Sequence, residues 1–153
     1  MTRLLIRGAT IVDGTGGNGY QGDVAVDGDI ITEVSNKVDS VGRTVIDATG
    51  LVIAPGFIDI HTHTDRKIFD NPLGDSKVMQ GVTTDVTCNC GVGPFPVQPE
   101  RVNELISYLT TLRGSLPDTG ISWTDFAGFA TAVENKQPGI NLAMLVAHEC
   151  EPT

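Results

Sequence analysis

Val52-Ile53-Ala54-Pro55-Gly56-Phe57-Ile58-Asp59-Ile60-His61-Thr62-His63 is the stretch on which the reading of this chain turns. An apolar run ends in two histidines one residue apart, with Thr64 and Asp65 immediately behind them. An unbroken series of Val, Ile and Phe predicts a strand buried on both faces. Residues i and i+2 of a strand point the same way, so His61 and His63 leave its C-terminal end side by side. Neutral imidazole is the commonest metal ligand, and two rings on one strand make half of a site. An isolated His-x-His fits an ordinary pair of strand-end histidines equally well. The apolar strand behind this one, and a cysteine further along, turn the reading toward metal.

Before this stretch, residues 1–54 read as short strands separated by glycine-rich turns. Leu4–Arg7 and Thr10–Val12 flank Gly8; Asp23–Val26 and Ile30–Val34 flank Asp27-Gly28-Asp29; Thr44–Ile46 and Leu51–Ala54 flank Asp47–Gly50. Such spacing suggests part of a β-sandwich or small barrel. Gly14-Thr15-Gly16-Gly17-Asn18-Gly19 satisfies G-x-G-x-x-G, yet the dinucleotide fingerprint needs a helix to open there. Tyr20-Gln21-Gly22-Asp23 leads into another strand instead, so a surface hairpin loop is expected.

After it, the pattern alternates. Phe57–Ile60 reads as a strand, Ser76–Gln80 as a short helix stopped by Gly81, and Val82–Thr87 as a β-branched strand. Glu100–Arg113 reads as an amphipathic helix with Val102, Leu105, Ile106, Leu109 and Leu112 inward, started near Pro99 and closed by Gly114. A second helix is expected over Thr124–Asn135, carrying Phe126, Phe129, Ala130 and Val133 inward, with Ser122 or Thr124 as cap. Ile140–Ala147 is a third apolar strand running into His148. Alternating strands and helices mean βαβ units and a parallel sheet. The expected fold class is α/β, divided into residues 1–54 and 55–153.

The chain has 153 residues, with 40% hydrophobic and 19% charged, which places it among globular proteins with room for a core. A net charge of −9 argues against a nucleic-acid or anionic-membrane partner, since no basic patch can neutralise phosphates. Met1–Arg7 carries too short an apolar segment for a secretion signal, and no transmembrane run follows, so the cytoplasm is the expected compartment. Three cysteines, Cys88, Cys90 and Cys150, lack the pattern of a disulfide framework.

Each strand after Pro55 ends near a metal-ligating residue: His61 and His63, then Cys88-Asn89-Cys90-Gly91, then His148. Ligands and catalysis gather at the carboxyl ends of parallel strands, and two imidazoles with one thiolate suit Zn²⁺. Cys88 reads as a small buried hydrophobe. For Cys90, ligand and ordinary thiol stand even on chemistry alone. His148 could ligate metal, support a ligand or position substrate. Asp65 reads as a solvated loop carboxylate, with a place beside the ligands or against substrate as the alternative. Nucleophilic catalysis by a Cys–His pair ranks below metal chemistry because no third group is placed to orient it.

These residues resemble a known family. Val52–His63, with Ala-Pro-Gly-Phe-Ile-Asp-Ile-His-Thr-His, resembles the first barrel strand of the amidohydrolase superfamily, and residues 3–54 resemble its N-terminal sandwich portion. Gln80-Gly81-Val82-Thr83-Thr84 followed by Asn89-Cys90-Gly91, and the segment Trp123–His148, are similar to the D-aminoacylase branch, the N-acyl-D-amino-acid deacylases. The resemblance implies a small β-sandwich beside a metal-bearing (β/α)₈ barrel. It implies His61 and His63 as zinc ligands, with Cys90 matching the branch's zinc-ligating cysteine. In that branch zinc polarises the amide carbonyl and generates the attacking hydroxide, cleaving N-acyl-D-amino acids to a carboxylate and the free D-amino acid.

Further histidine ligands and a general-base aspartate come from later strands in the family, so they are expected beyond residue 153. A whole barrel needs roughly 250 residues, and this chain holds three histidines in all. The branch usually continues as Val-Gly-His with a Thr-Leu-Arg run, where this sequence reads Val146-Ala147-His148-Glu149-Cys150-Glu151-Pro152-Thr153. The expectation is an N-terminal piece, comprising part of the sandwich and the first three or so βα units, inactive alone and prone to associate through open sheet edges. The runner-up activity is cyclic-amide hydrolysis of the dihydropyrimidinase or dihydroorotase kind, which shares His-x-His without requiring the Asn-Cys-Gly cysteine. A reading from another class is a non-catalytic truncated fragment. The expected partner is a small-molecule substrate.

Overall fold

The computed structural model describes residues 2–112 and 120–147. His148 and Cys150 lie outside the described residues, as do Arg113 and Gly114. The chain divides at Pro55/Gly56 into two compact units.

In the first unit, β1 (Arg3–Ile11) pairs antiparallel with β2 (Tyr20–Asp27), and β2 pairs antiparallel with β3 (Ile30–Ser35). β4 (Thr44–Asp47) and the two-residue β5 (Val52–Ile53) run parallel to β1. Leu5, Ala25 and Val38 form the core of this unit. The sequence suggests two strands either side of Gly8; the structure has one, with its register shifted between Ile6 and Ala9. Gly8 adopts φ +73° at that irregularity, a conformation glycine enters without strain, and its N–H donates to Asp23 Oδ1 at 2.9 Å. The 14–19 stretch is an exposed loop between β1 and β2, and no helix opens from it.

The second unit carries three parallel strands in the order β6 (Phe57–Thr62), β7 (Val82–Thr87), β8 (Asn141–Met144). α1 (Asp75–Val78) lies in the first crossover; α2 (Val102–Thr111) and α3 (Phe126–Glu134) lie in the second. Ile68, Cys88, Phe95, Trp123, Phe129, Val133 and Ala147 form the main core cluster. The Trp123 and Phe129 rings meet edge to face at 5.1 Å, and Trp123 Nε1 donates to the Pro94 carbonyl at 2.8 Å, which satisfies the indole's polar end inside an apolar cluster.

Several expectations need correction. The opening stretch is not one strand. Val52–Ile53 belongs to the first sheet and Phe57–Thr62 to the second, separated by Ala54-Pro55-Gly56. Proline has no N–H for a ladder, and a Cβ on Gly56 would lie 2.1 Å from the Thr83 hydroxyl, so this crossing demands glycine. Nor is β6 buried on both faces: Phe57, Ile58 and Ile60 are 62%, 61% and 71% exposed. Among the described residues β6 pairs with β7 alone, and too little chain lies over it to cover an apolar strand. The helix expected from Glu100 begins as a 3₁₀ turn at Pro99–Arg101, and Leu112 is exposed rather than inward. α3 is capped by Asp125, whose side chain accepts from Gly128 N–H at 2.9 Å, not by Ser122 or Thr124. Phe126 is half exposed, with its ring edge against Phe95. The third strand is shorter than expected, at Asn141–Met144.

Candidate metal centre

His61 lies on β6 and His63 follows its last residue, so the strand end presents both rings, with centroids 5.9 Å apart and planes at 75°. The cysteine arrives from β7. After Thr87 the backbone turns through Cys88 at φ +66°, and Asn89 Nδ2 donates to the Ile60 carbonyl at 2.6 Å. That bond ties the Asn-Cys-Gly loop to the strand bearing the histidines. Cys90 Sγ then lies 2.9 Å from His61 Nε2 and 3.6 Å from His63 Nε2. Ligand atoms of these three residues all fall within 4.8 Å of one another.

The 3.6 Å between Cys90 Sγ and His63 Nε2 is the spacing of a metal site, while the 2.9 Å to His61 Nε2 is that of a direct hydrogen bond. Bonds of about 2.0–2.1 Å to nitrogen and about 2.3 Å to sulphur, at tetrahedral angles, put N and S about 3.5 Å apart. Two imidazole nitrogens and one sulphur also form a mixed donor set of the kind zinc takes. His61 and Cys90 are exposed and His63 is half-buried, so the cluster faces outward. Burial holds the His63 pKa below its ordinary 6.5, aided by the charges of Arg66 and His61. Both effects favour the neutral ring that binds metal.

Asp65 departs from expectation. It sits in a 3₁₀ turn, Thr64–Arg66, and is 1% exposed, with neither carboxylate oxygen hydrogen-bonded. Burial pushes its pKa up to about 7. It is therefore no solvated loop carboxylate. His63 Nδ1 is likewise buried without a hydrogen-bond partner. Cys88 is buried in the aromatic cluster.

A polar group that motif reading missed lies under the histidines. Asp59 on β6 and Asp85 on β7 stand opposite each other in the parallel register. Lys77, at the end of the first crossover, pairs with Asp59 and lies 3.7 Å from Asp85. Thr64 Oγ1 donates to Asp85 Oδ2. The Lys77 hydrogen bond holds the Asp59 carboxyl below the ordinary carboxylate range, and the same bond raises Lys77. The available signal was an aspartate inside each apolar or β-branched strand, since a carboxylate placed there needs a partner.

With this geometry in place, likeness to known proteins gains meaning. Residues 44–110 match the model of an amidohydrolase family. An N-acyl-D-aspartate deacylase from Alcaligenes xylosoxydans xylosoxydans is 37% identical over 145 residues, which cover 95% of this chain and 28% of that protein. A D-aminoacylase from the same organism is 35% identical over 147 residues, covering 95% and 29%. This chain resembles an amidohydrolase family over residues 44–110 and these deacylases over 95% of its length. Its likeness to the deacylase group runs through both units rather than through the His-x-His strand alone. A solved structure of an N-acyl-D-glutamate deacylase from Bordetella bronchiseptica, complexed with zinc and a phosphonate mimic of the tetrahedral intermediate, is 31% identical. It superposes with a TM-score of 0.76 over 95% of this chain and 29% of that one. The chain thus spans less than a third of the length of these relatives. Among the described residues, no helix is long and apolar enough to cross a membrane.

Proposed function

We propose that this chain carries the first part of the metal centre of a zinc-dependent hydrolase that cleaves N-acyl-D-amino acids to a carboxylate and the free D-amino acid. The observation that carries the reading is the convergence of His61 Nε2, His63 Nε2 and Cys90 Sγ at the ends of two adjacent parallel strands. In this reading β6, β7 and β8 are the opening strands of a (β/α)₈ barrel, and residues 1–54 are the N-terminal part of a β-sandwich. The deacylase relatives support the substrate class, and the zinc complex of one of them supports the metal.

His61 and His63 supply imidazole nitrogens from one rigid strand, and Cys90 supplies a thiolate from a loop that Asn89 pins to that strand. Bound zinc would act as Lewis acid toward the amide carbonyl and lower the pKa of a coordinated water. The exposure of His61 and Cys90 leaves that side open to a small-molecule substrate. Cyclic-amide hydrolysis is the weaker reading, because it gives Cys90 no task at a place where the fold brings it against both histidines. A chain that binds metal without turning over substrate is the expected behaviour of the 153-residue polypeptide alone, since three ligands are only part of the machinery a deacylase uses. The full-length enzyme containing this segment should hydrolyse N-acetyl-D-amino acids and spare the L forms. Zinc content should fall in His61→Ala/His63→Ala and in Cys90→Ser. Unchanged zinc in both variants would remove the ligand assignment.

A further inference from the structure

We infer that Lys77 is a positioning residue for the metal centre, acting through Asp59 and Asp85 to set the two histidines in place; this rests on the ligand assignment above. The geometry is a two-sided brace. On one side Lys77 Nζ binds Asp59 Oδ2, while Asp59 Oδ1 accepts the backbone N–H of His61 at 3.2 Å. On the other side Nζ lies 3.7 Å from Asp85 Oδ1, while Asp85 Oδ2 accepts from the Thr64 hydroxyl. Thr64 directly follows His63, and its hydroxyl also lies 3.0 Å from that of Thr62. One ammonium therefore reaches the backbone of His61 through one carboxylate and the residue beside His63 through the other.

Charge makes the brace necessary. Asp59 and Asp85 face each other across paired strands, where like charges push the strands apart. The Asp85 side chain is fully buried, and a buried carboxylate without a cation is costly. Lys77 is the cation found between the two. Without it, repulsion would act in the middle of the β6/β7 pair, two residues before His61. Residues that orient metal ligands commonly change affinity by about 10- to 100-fold when altered.

The test is zinc affinity of the chain by competition with a chromophoric chelator, alongside the absorption spectrum of the Co²⁺ form and the urea midpoint. Lys77→Met should weaken zinc binding roughly tenfold or more and shift the Co²⁺ bands, while Lys77→Arg retains most of the affinity. Thr64→Val guards against misfolding of Lys77→Met. It removes only the hydroxyl from Asp85, and should weaken zinc binding less than Lys77→Met does while keeping a higher urea midpoint than that variant. If His61→Ala abolishes binding but Lys77→Met and Thr64→Val match the unaltered chain in affinity and spectrum, the brace is wrong and the ligands stand. If His61→Ala binds zinc as well as the unaltered chain, the ligand assignment falls and takes the brace with it.

Discussion

At the scale of the residue, the chemistry-bearing side chains divide by how much their neighbours in sequence say about them. His61 and His63 could be read from strand alternation alone, because period two fixes their relative direction. Cys90 could not be placed by alternation. It reaches the histidines through the positive φ of Cys88 and the Asn89 bond to Ile60, neither of which follows from composition. Asp65 is buried where its position just past a strand predicts a solvated carboxylate, because it sits in a 3₁₀ turn, and such a turn has little sequence signature. Asp23 shows a buried carboxylate used well. Burial pushes its pKa up, but the N–H groups of Val38 and Gly8, with Arg7 beside them, outweigh that and hold it below its ordinary 3.8. A depressed carboxyl contributes stability above its unfolded pKa and loses it as pH falls through the folded value. Asp23→Asn should therefore destabilise the first unit by about 1–3 kcal/mol at pH 7. Urea midpoints of the two proteins should converge below pH 3.8, and a gap that stays constant down to strongly acidic pH would refute the charge's part in it.

At the scale of the element, the β/α alternation after Pro55 was legible because β-branched runs and helical periodicity differ clearly over Val82–Thr87 and Val102–Thr111. Boundaries were less so. Helix starts depend on which side-chain oxygen reaches a free N–H, and Ser122, Thr124 and Asp125 all could have done so; only Asp125 does. Asp125→Ala should cost about 0.5–2 kcal/mol by losing that cap, measurable as a lower thermal midpoint, whereas Ser122→Ala should leave it unmoved. The apolar run Val52–Ile60 misled for a different reason. Hydrophobicity reports that a segment needs cover, not which sheet supplies it. The Pro55-Gly56 crossing sends one half to each sheet.

At the scale of the whole molecule, Phe57, Ile58 and Ile60 stand exposed at 62%, 61% and 71% in a parallel sheet that pairs three strands among the described residues, and Met79 at the end of α1 is 85% exposed. Uncovered apolar surface beside an open strand edge invites association. The 153-residue polypeptide should elute from gel filtration as an oligomer or a broad distribution, and Phe57→Thr/Ile60→Thr should shift it toward monomer. A sharp monomer peak for the unaltered chain would count against this view of the sheet. The central claim, that His61, His63 and Cys90 hold a zinc ion, is tested most directly by X-ray absorption at the zinc edge of the loaded chain. One sulphur at about 2.3 Å with nitrogens at about 2.0–2.1 Å is expected, the sulphur vanishing in Cys90→Ser. A shell of nitrogen and oxygen alone, identical in the two proteins, would contradict it.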